Sequence, residues 1–212
     1  MVARAYPEIY MNDFTECFGN MFQYTDRDLG ITINNFYDMF LQSRISSGIE
    51  AGDPKYLLGM SGVEMARAVI YEKTGTYYNI KDSLYEDRGI SYWMGMALGY
   101  YQWYRNVQFK VIDALGLTID VLRDMYVLHE ADFEKFVFSA DSITGLDKGK
   151  GKIMANLRKS RKLSQRDLAD ASRVPLRMIQ LYEQGQNDIS KANVDYVMRI
   201  AGALDVRIDS IL

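Results

Sequence analysis

Apolar residues in this chain recur at spacings of three and four. That period marks helices that bury one face, and no stretch alternates as a half-buried strand would. Ile9, Met11, Phe14, Phe18, Met21, Phe22 and Tyr24 outline a first helix over residues 7–28. After a polar break at 26–30, Thr32 caps a second, with Ile33, Phe36, Tyr37, Phe40, Leu41 and Ile45 inward and a loose end over 46–53. A turn-rich connection follows at 53–62. Ser61 with Glu64 three places on predicts a capping box and a helix to about Lys73. Residues 75–89 read as irregular. Ser91 is expected to cap a long aromatic helix reaching Leu115, Thr118 to open a short one through Val127, and Glu130 to begin another through Phe138. Residues 141–152 are rich in Gly, Lys and Asp and lack apolar periodicity, which predicts a flexible linker. The expected architecture is all-α: an N-terminal helical bundle over 1–140, a linker at 141–151 and a second helical domain over 152–212.

The second domain holds the most informative stretch, Leu157 to Glu183. Ser164 is suited to an N-cap and Gln165 opens a helix whose buried face carries Leu168 and Ala169. Ser172, Arg173 and Val174 make a turn, and Pro175 opens the next helix, where Ile179 and Tyr182 point inward. Leu176, Arg177, Gln180, Leu181 and Gln184 stay outward or at the edge, and Gly185 can end the helix. Two short helices joined by a tight turn place the second in a DNA major groove. There Arg177 and Gln180 are the expected base readers and Leu176 a contact to a thymine methyl. Gln165 and Arg173 are assigned to phosphates, and Arg166 and Lys191 complete the expected DNA-contacting set.

Leu163-Ser-Gln, Leu168-Ala169, Val174, Ile179 and Tyr182-Glu183 with Gly185 resemble the Cro/phage-repressor (XRE) helix-turn-helix family. The likeness continues through Ile189 to Ala192, Asp195 to Leu204 and a short last helix over 206–212. It implies a five-helix, lambda-repressor-like fold and a structural clamp between Arg158 and Glu183. The family usually has Gly where Arg173 stands; in a left-handed backbone Arg there costs about 1 kcal/mol. The N-terminal part, at Tyr6 to Tyr10, Gly52 to Tyr56, Gly59 to Glu64 and Tyr100 to Tyr104, looks similar to a helical domain of bacterial regulators of antitoxin type. That likeness implies autoregulation and a cognate toxin as partner.

Charge separates the two parts. The 212 residues carry a net charge of −3. From Lys148 onward 13 Lys/Arg stand against 7 Asp/Glu, a net of +6; the preceding residues carry 12 against 21, a net of −9. A basic domain on an acidic body fits a DNA reader attached to a module that binds something else. One cysteine, Cys17, excludes an internal disulfide and fits a reducing cytoplasm. No signal peptide and no membrane span are expected, because the least charged run, 90–104, is too short and too polar.

Catalytic chemistry is thinly supplied. His129 is the sole histidine and cannot form a zinc motif with a distant Cys17. No P-loop, nucleophile elbow or dinucleotide pattern occurs, and neither an enzyme nor a cofactor is expected. Gly59 to Gly62 reads as a turn and cap rather than an anion cradle, and Asp82, Glu86 and Asp87 as a solvated acidic face. Tyr100, Trp103 and Tyr104 share a helical face, which reads first as bundle core, since a bundle helix needs such a stripe, and second as a partner or ligand surface. Three readings compete: an antitoxin-type autorepressor binding an inverted repeat as a homodimer, a one-component regulator sensing a small molecule in the aromatic domain, and an interaction protein with a vestigial reader.

Overall fold

The computed structural model describes residues 4–83 and 87–212. Among these no strand occurs, and the helices fall into two compact units: residues up to Phe109 with Thr118–Phe138, and Lys110–Leu117 with Ser139–Leu212.

In the first unit, α1 (Met11–Gln23) follows a 3-10 turn at Glu8–Tyr10 and runs into a π turn at Tyr24–Asp28. Phe14, Phe18, Met21 and Phe22 are fully buried, whereas Ile9, expected inward, is 79 % exposed. Phe18 is the aromatic hub: its ring lies 5.3 to 5.4 Å from those of Phe14, Phe22, Phe40 and Phe109. The second expected helix is broken. α2 (Ile33–Leu41) stops at Gln42, and Ser43 restarts the chain as α3 (Arg44–Glu50) by accepting the Ser46 N–H at 3.2 Å. Glu50, read as part of a loose end, is buried. It accepts the Phe109 N–H at 2.8 Å and contacts from Gln108 and Ser46, so its charge is held by donors rather than by solvent.

A single turn, α4 (Pro54–Leu57), occupies the turn-rich connection. α5 (Gly62–Thr74) begins with the Ser61–Glu64 capping box and ends at Gly75. α6 (Ile90–Arg105) starts one residue before Ser91, whose hydroxyl donates to Asp26 instead of capping. It also ends ten residues early: Asn106 adopts φ 50 and ψ 51, a left-handed conformation that Asn tolerates better than most residues. The remainder of the expected long helix is α7 (Phe109–Ala114). Thr118 caps α8 (Ile119–Asp124), a 3-10 turn covers Met125–Leu128, and α9 spans Phe133–Thr144.

α1 and α6 meet at small residues. A Cβ on Gly95 would stand 2.6 Å from the Phe18 carbonyl oxygen and 2.9 Å from the Gly19 Cα. Only hydrogen at these positions lets the two backbones approach so closely.

In the second unit, α9 extends through residues 141–144, where the flexible linker was expected. Thr144 and Leu146 are buried, and the Leu146 N–H donates to the Thr144 hydroxyl at 3.3 Å. These few contacts tie down a segment too poor in apolar residues to show a period. The remaining helices are α10 (Lys150–Ser160), α11 (Gln165–Ser172), α12 (Leu176–Glu183) and α13 (Val194–Ala203). The opening expected at Ile189 is a 3-10 turn, Ile189–Lys191, and the last expected helix is a 3-10 turn at Ile208–Ser210. No helix among the described residues is long and apolar enough to cross a membrane.

Two glycine substitutions should act in opposite directions. Gly95→Ala should lower the unfolding free energy by about 1–3 kcal/mol through overpacking. Gly202→Ala, inside α13 with nothing within 4 Å, should raise it by about 0.5–1 kcal/mol. Urea denaturation monitored by circular dichroism reads both, and a stable Gly95→Ala variant would refute the close-approach argument.

Candidate nucleic-acid interface

α11 starts because Ser164 and Asp167 cap it reciprocally. The Ser164 hydroxyl accepts the Asp167 N–H at 3.1 Å, and the Asp167 carboxylate accepts the Ser164 N–H at 2.7 Å. These bonds, the backbone one foremost, hold the Asp167 carboxyl below the usual carboxylate range. Leu168 and Ala169 are buried beneath. α11 ends at Arg173, with φ 53 and ψ 33. The Arg173 side chain is exposed, and its carbonyl accepts Arg199 Nη1 at 3.4 Å. Sequence reasoning passed over Arg199; a cation four residues after Asp195 reads as a surface helix pair, and that pair does form. Pro175, lacking an N–H that would go unmatched at a helix start, is the N-cap of α12, one residue before its expected role inside the helix. Ile179 and Tyr182 anchor α12 to the core.

The far end of α12 is fixed by charge. Arg158 donates Nε to Glu183 Oε1 at 2.6 Å and Nη2 to Oε2 at 2.9 Å, a bidentate pair with side chains 9 % and 5 % exposed. Arg158 Nη1 also donates to the Leu163 carbonyl at 2.6 Å. The paired carboxylate raises the Arg158 pKa above its ordinary value. Gln165 Nε2 donates to the same Glu183 Oε2 at 2.8 Å. The residue assigned to a phosphate therefore spends one amide hydrogen on the clamp and keeps one. Gly151, placed by pattern in a flexible linker, lies against this end: a Cβ there would come 2.1 Å from the Tyr182 carbonyl oxygen.

Of the expected DNA-contacting set, Arg166, Arg173 and Leu176 line one hollow of about 570 Å³ at the turn, with Asp170 among its walls. Arg177 is exposed on α12 one residue further on, and Gln180 and Leu176 are half-buried. Lys191 lines a different hollow, with Met178, Gln186 and Asn187.

The N-terminal candidates divide. Trp103 is buried, and its indole N–H donates to the Tyr6 carbonyl at 2.9 Å. Tyr100 stacks on Phe133 at 4.5 Å, and the Arg4 guanidinium lies 3.7 Å over the Tyr104 ring. The stripe is therefore largely packed against its own unit. Cys17 donates Sγ to the Met60 carbonyl, and burial pushes its pKa up to about 11, the character of an inert thiol. His129 stacks on Tyr126 at the surface. Of the cluster expected at Asp82, Glu86 and Asp87, Glu86 lies outside the described residues. Among those described, no group of three or more His, Cys, Asp or Glu is arranged to hold a metal ion.

The clamp and the cap are separately testable. Arg158→Met leaves Glu183 with Gln165 alone and should cost about 3–5 kcal/mol, whereas Arg158→Met combined with Glu183→Leu should recover most of that loss. Equal losses in the single and double variants, by chemical denaturation, would dismiss the buried charge as the cause. Because the folded-state pKa of Asp167 is lowered, its stabilising contribution is whole above about pH 4 and is lost as pH falls through the lowered value. Asp167→Asn should flatten the acid limb of melting temperature against pH; an unaltered limb would argue against it.

Residues 154–211 match a family model described as Helix-turn-helix, and the match does not reach the N-terminal segment. No curated protein and no solved structure matches the chain. The capped α11, the turn at Arg173 and the clamped α12 occupy the centre of the matched region. Residues 154–211 are thus an XRE-type helix-turn-helix domain, the DNA-binding part of a transcriptional regulator.

Proposed function

We propose that this regulator is an autorepressor of antitoxin type. It reads an inverted repeat in double-stranded DNA through Arg177, Gln180 and Leu176, as a homodimer, in the cytoplasm. The observation that carries this reading is the fixed presentation of α12: its end is clamped through Glu183, and Arg177 is left exposed on its outer side. Arg166 and Arg173 flank it as phosphate contacts, supported by their common hollow at the turn. One such module buries too little DNA surface for tight specific binding, and this supports a dimer with half-sites about one helical turn apart or a multiple of it.

The N-terminal unit is read as the partner-binding part. Its net negative charge disfavours contact with DNA. Its surface exposes Val127 at 79 % and Phe138 at 76 %, large apolar side chains of the kind a protein partner covers. Co-purification with the product of a neighbouring gene, abolished by Val127→Asp or Phe138→Asp, supports the antitoxin reading; no association between the two purified proteins would refute it.

DNA reading is tested by fluorescence anisotropy of the full-length protein on its own upstream DNA, at about 150 mM salt with non-specific competitor. Arg177→Ala should cost about 1–3 kcal/mol of specific binding and relax sequence choice. A uniform loss on all sequences would remove Arg177 as a base reader. Arg173→Ala should weaken specific and non-specific binding alike and flatten the salt dependence by about one unit of slope. An unchanged slope would remove the phosphate contact.

A further inference from the structure

α13 leaves an apolar row uncovered. Val197, Ile200, Ala201 and Leu204 turn to the core of the DNA-binding domain and are buried. Val194 and Met198, four residues apart on the flank of the same helix, are 69 % and 55 % exposed. Gly202, four residues further on, extends the row, and a Cβ there would meet nothing within 4 Å. Residues spaced by four stand one above the other along a helix. Two large apolar side chains followed by a gap form a relief that a matching surface can cover.

DNA is a poor cover for it. Valine and methionine offer a phosphate nothing, and the carboxylate of Asp195, exposed beside the row, repels it. A second α13 is a good cover. A two-fold axis through Met198 sets two copies of the helix antiparallel. Val194 of each copy, four residues before the axis, then stands level with Gly202 of the other, four residues after it. The bulky end of the row meets the gap. The charges agree as well. Within one helix Arg199 pairs with Asp195 at 2.5 Å, and it also donates to the Arg173 carbonyl at 3.4 Å. The two-fold operation keeps these flanks on one side of the seam, where they line up as acid, arginine, arginine, acid and sum to zero. Each arginine is then about 3 Å in level from the other copy's acid and about 6 Å from its own.

We propose that this face of α13 is the two-fold contact between copies of the chain. The inference rests on the homodimer reading and names the surface it uses. Because Arg199 also holds the turn before α12, pairing here sets the separation of the two helices that read DNA. A row of three residues covers less than the about 800 Å² per partner of a stable complex. The pairing is therefore weak in the free protein and is completed on DNA, where neighbouring copies raise each other's effective concentration.

Disulfide trapping of the full-length protein, free and on its own upstream DNA, tests it with oxidised glutathione as the oxidant. Helix axes about 8–10 Å apart bring facing Cα atoms to about 3.5–5.5 Å, within reach of a disulfide. In a Cys17→Ser background, Met198→Cys should therefore trap a covalent dimer on DNA. The yield should be about tenfold or more above that of Lys159→Cys, exposed on α10. Met198→Lys sets like charges together at the axis, although its charge alone favours DNA. It should weaken binding of the second copy about tenfold or more with the melting temperature unchanged. Both results are required. A parent that pairs, with no trapping at position 198 or no effect of Met198→Lys, would overturn the inference, leave the homodimer reading standing and give the face to another partner. A parent that stays monomeric and binds DNA as a single copy would overturn both.

Discussion

Glu183 carries its carboxylate to a place where 5 % of the side chain meets solvent, and donors from Arg158 and Gln165 converge on it. An ionised group so placed is tolerable only while all its donors stay in position. The three residues belong to the end of α12, to α10 and to the start of α11, so one charge fixes the mutual placement of three helices. Geometry at the turn and along α12 follows from it. The turn at Arg173 has its carbonyl tied by Arg199, the start of α11 is closed by its cap, and α12 has little freedom to rotate its outer residues. Sequence discrimination needs this fixity, since a paired contact to a base edge fails when the donor strays.

The N-terminal unit solves a different problem. Its core is built from aromatic rings around Phe18, and rings fill space only when the backbones beside them come close. Gly19 and Gly95 permit that approach between α1 and α6. The acid at Glu50 closes the other side by accepting a backbone N–H where the chain enters α7. Apolar packing thus dominates here, with one buried carboxylate serving as a fixed acceptor for the backbone.

What could be read from the sequence was local. The Ser61 and Ser164 caps, the helical period and the spacing of the helix-turn-helix all lie within windows of a few dozen residues, and each appears in the fold. Features set by distant segments escaped. Nothing near Glu50 says that it meets Phe109, and the burial of Thr144 and Leu146 is invisible in a stretch lacking apolar periodicity. The break at Asn106 escaped for the opposite reason: an aromatic pattern continues across it through Phe109, while the stop is a single left-handed residue. The bond from Gln165 to Glu183 and the role of Gly151 also required knowing which helices end side by side.

Two turns of the DNA-binding domain use long cationic residues in a backbone conformation that suits glycine: Lys162 at φ 58 and Arg173 at φ 53. At about 1 kcal/mol each, together they raise the population of opened domain about thirtyfold over a glycine-turned equivalent. Opened chains are the ones that proteases cut, and DNA binds only the closed form. Binding to the closed form therefore shields the domain from opening. The backbone conformation of two charged residues thereby sets how often the domain opens, and any ligand held only by the closed form lowers that frequency.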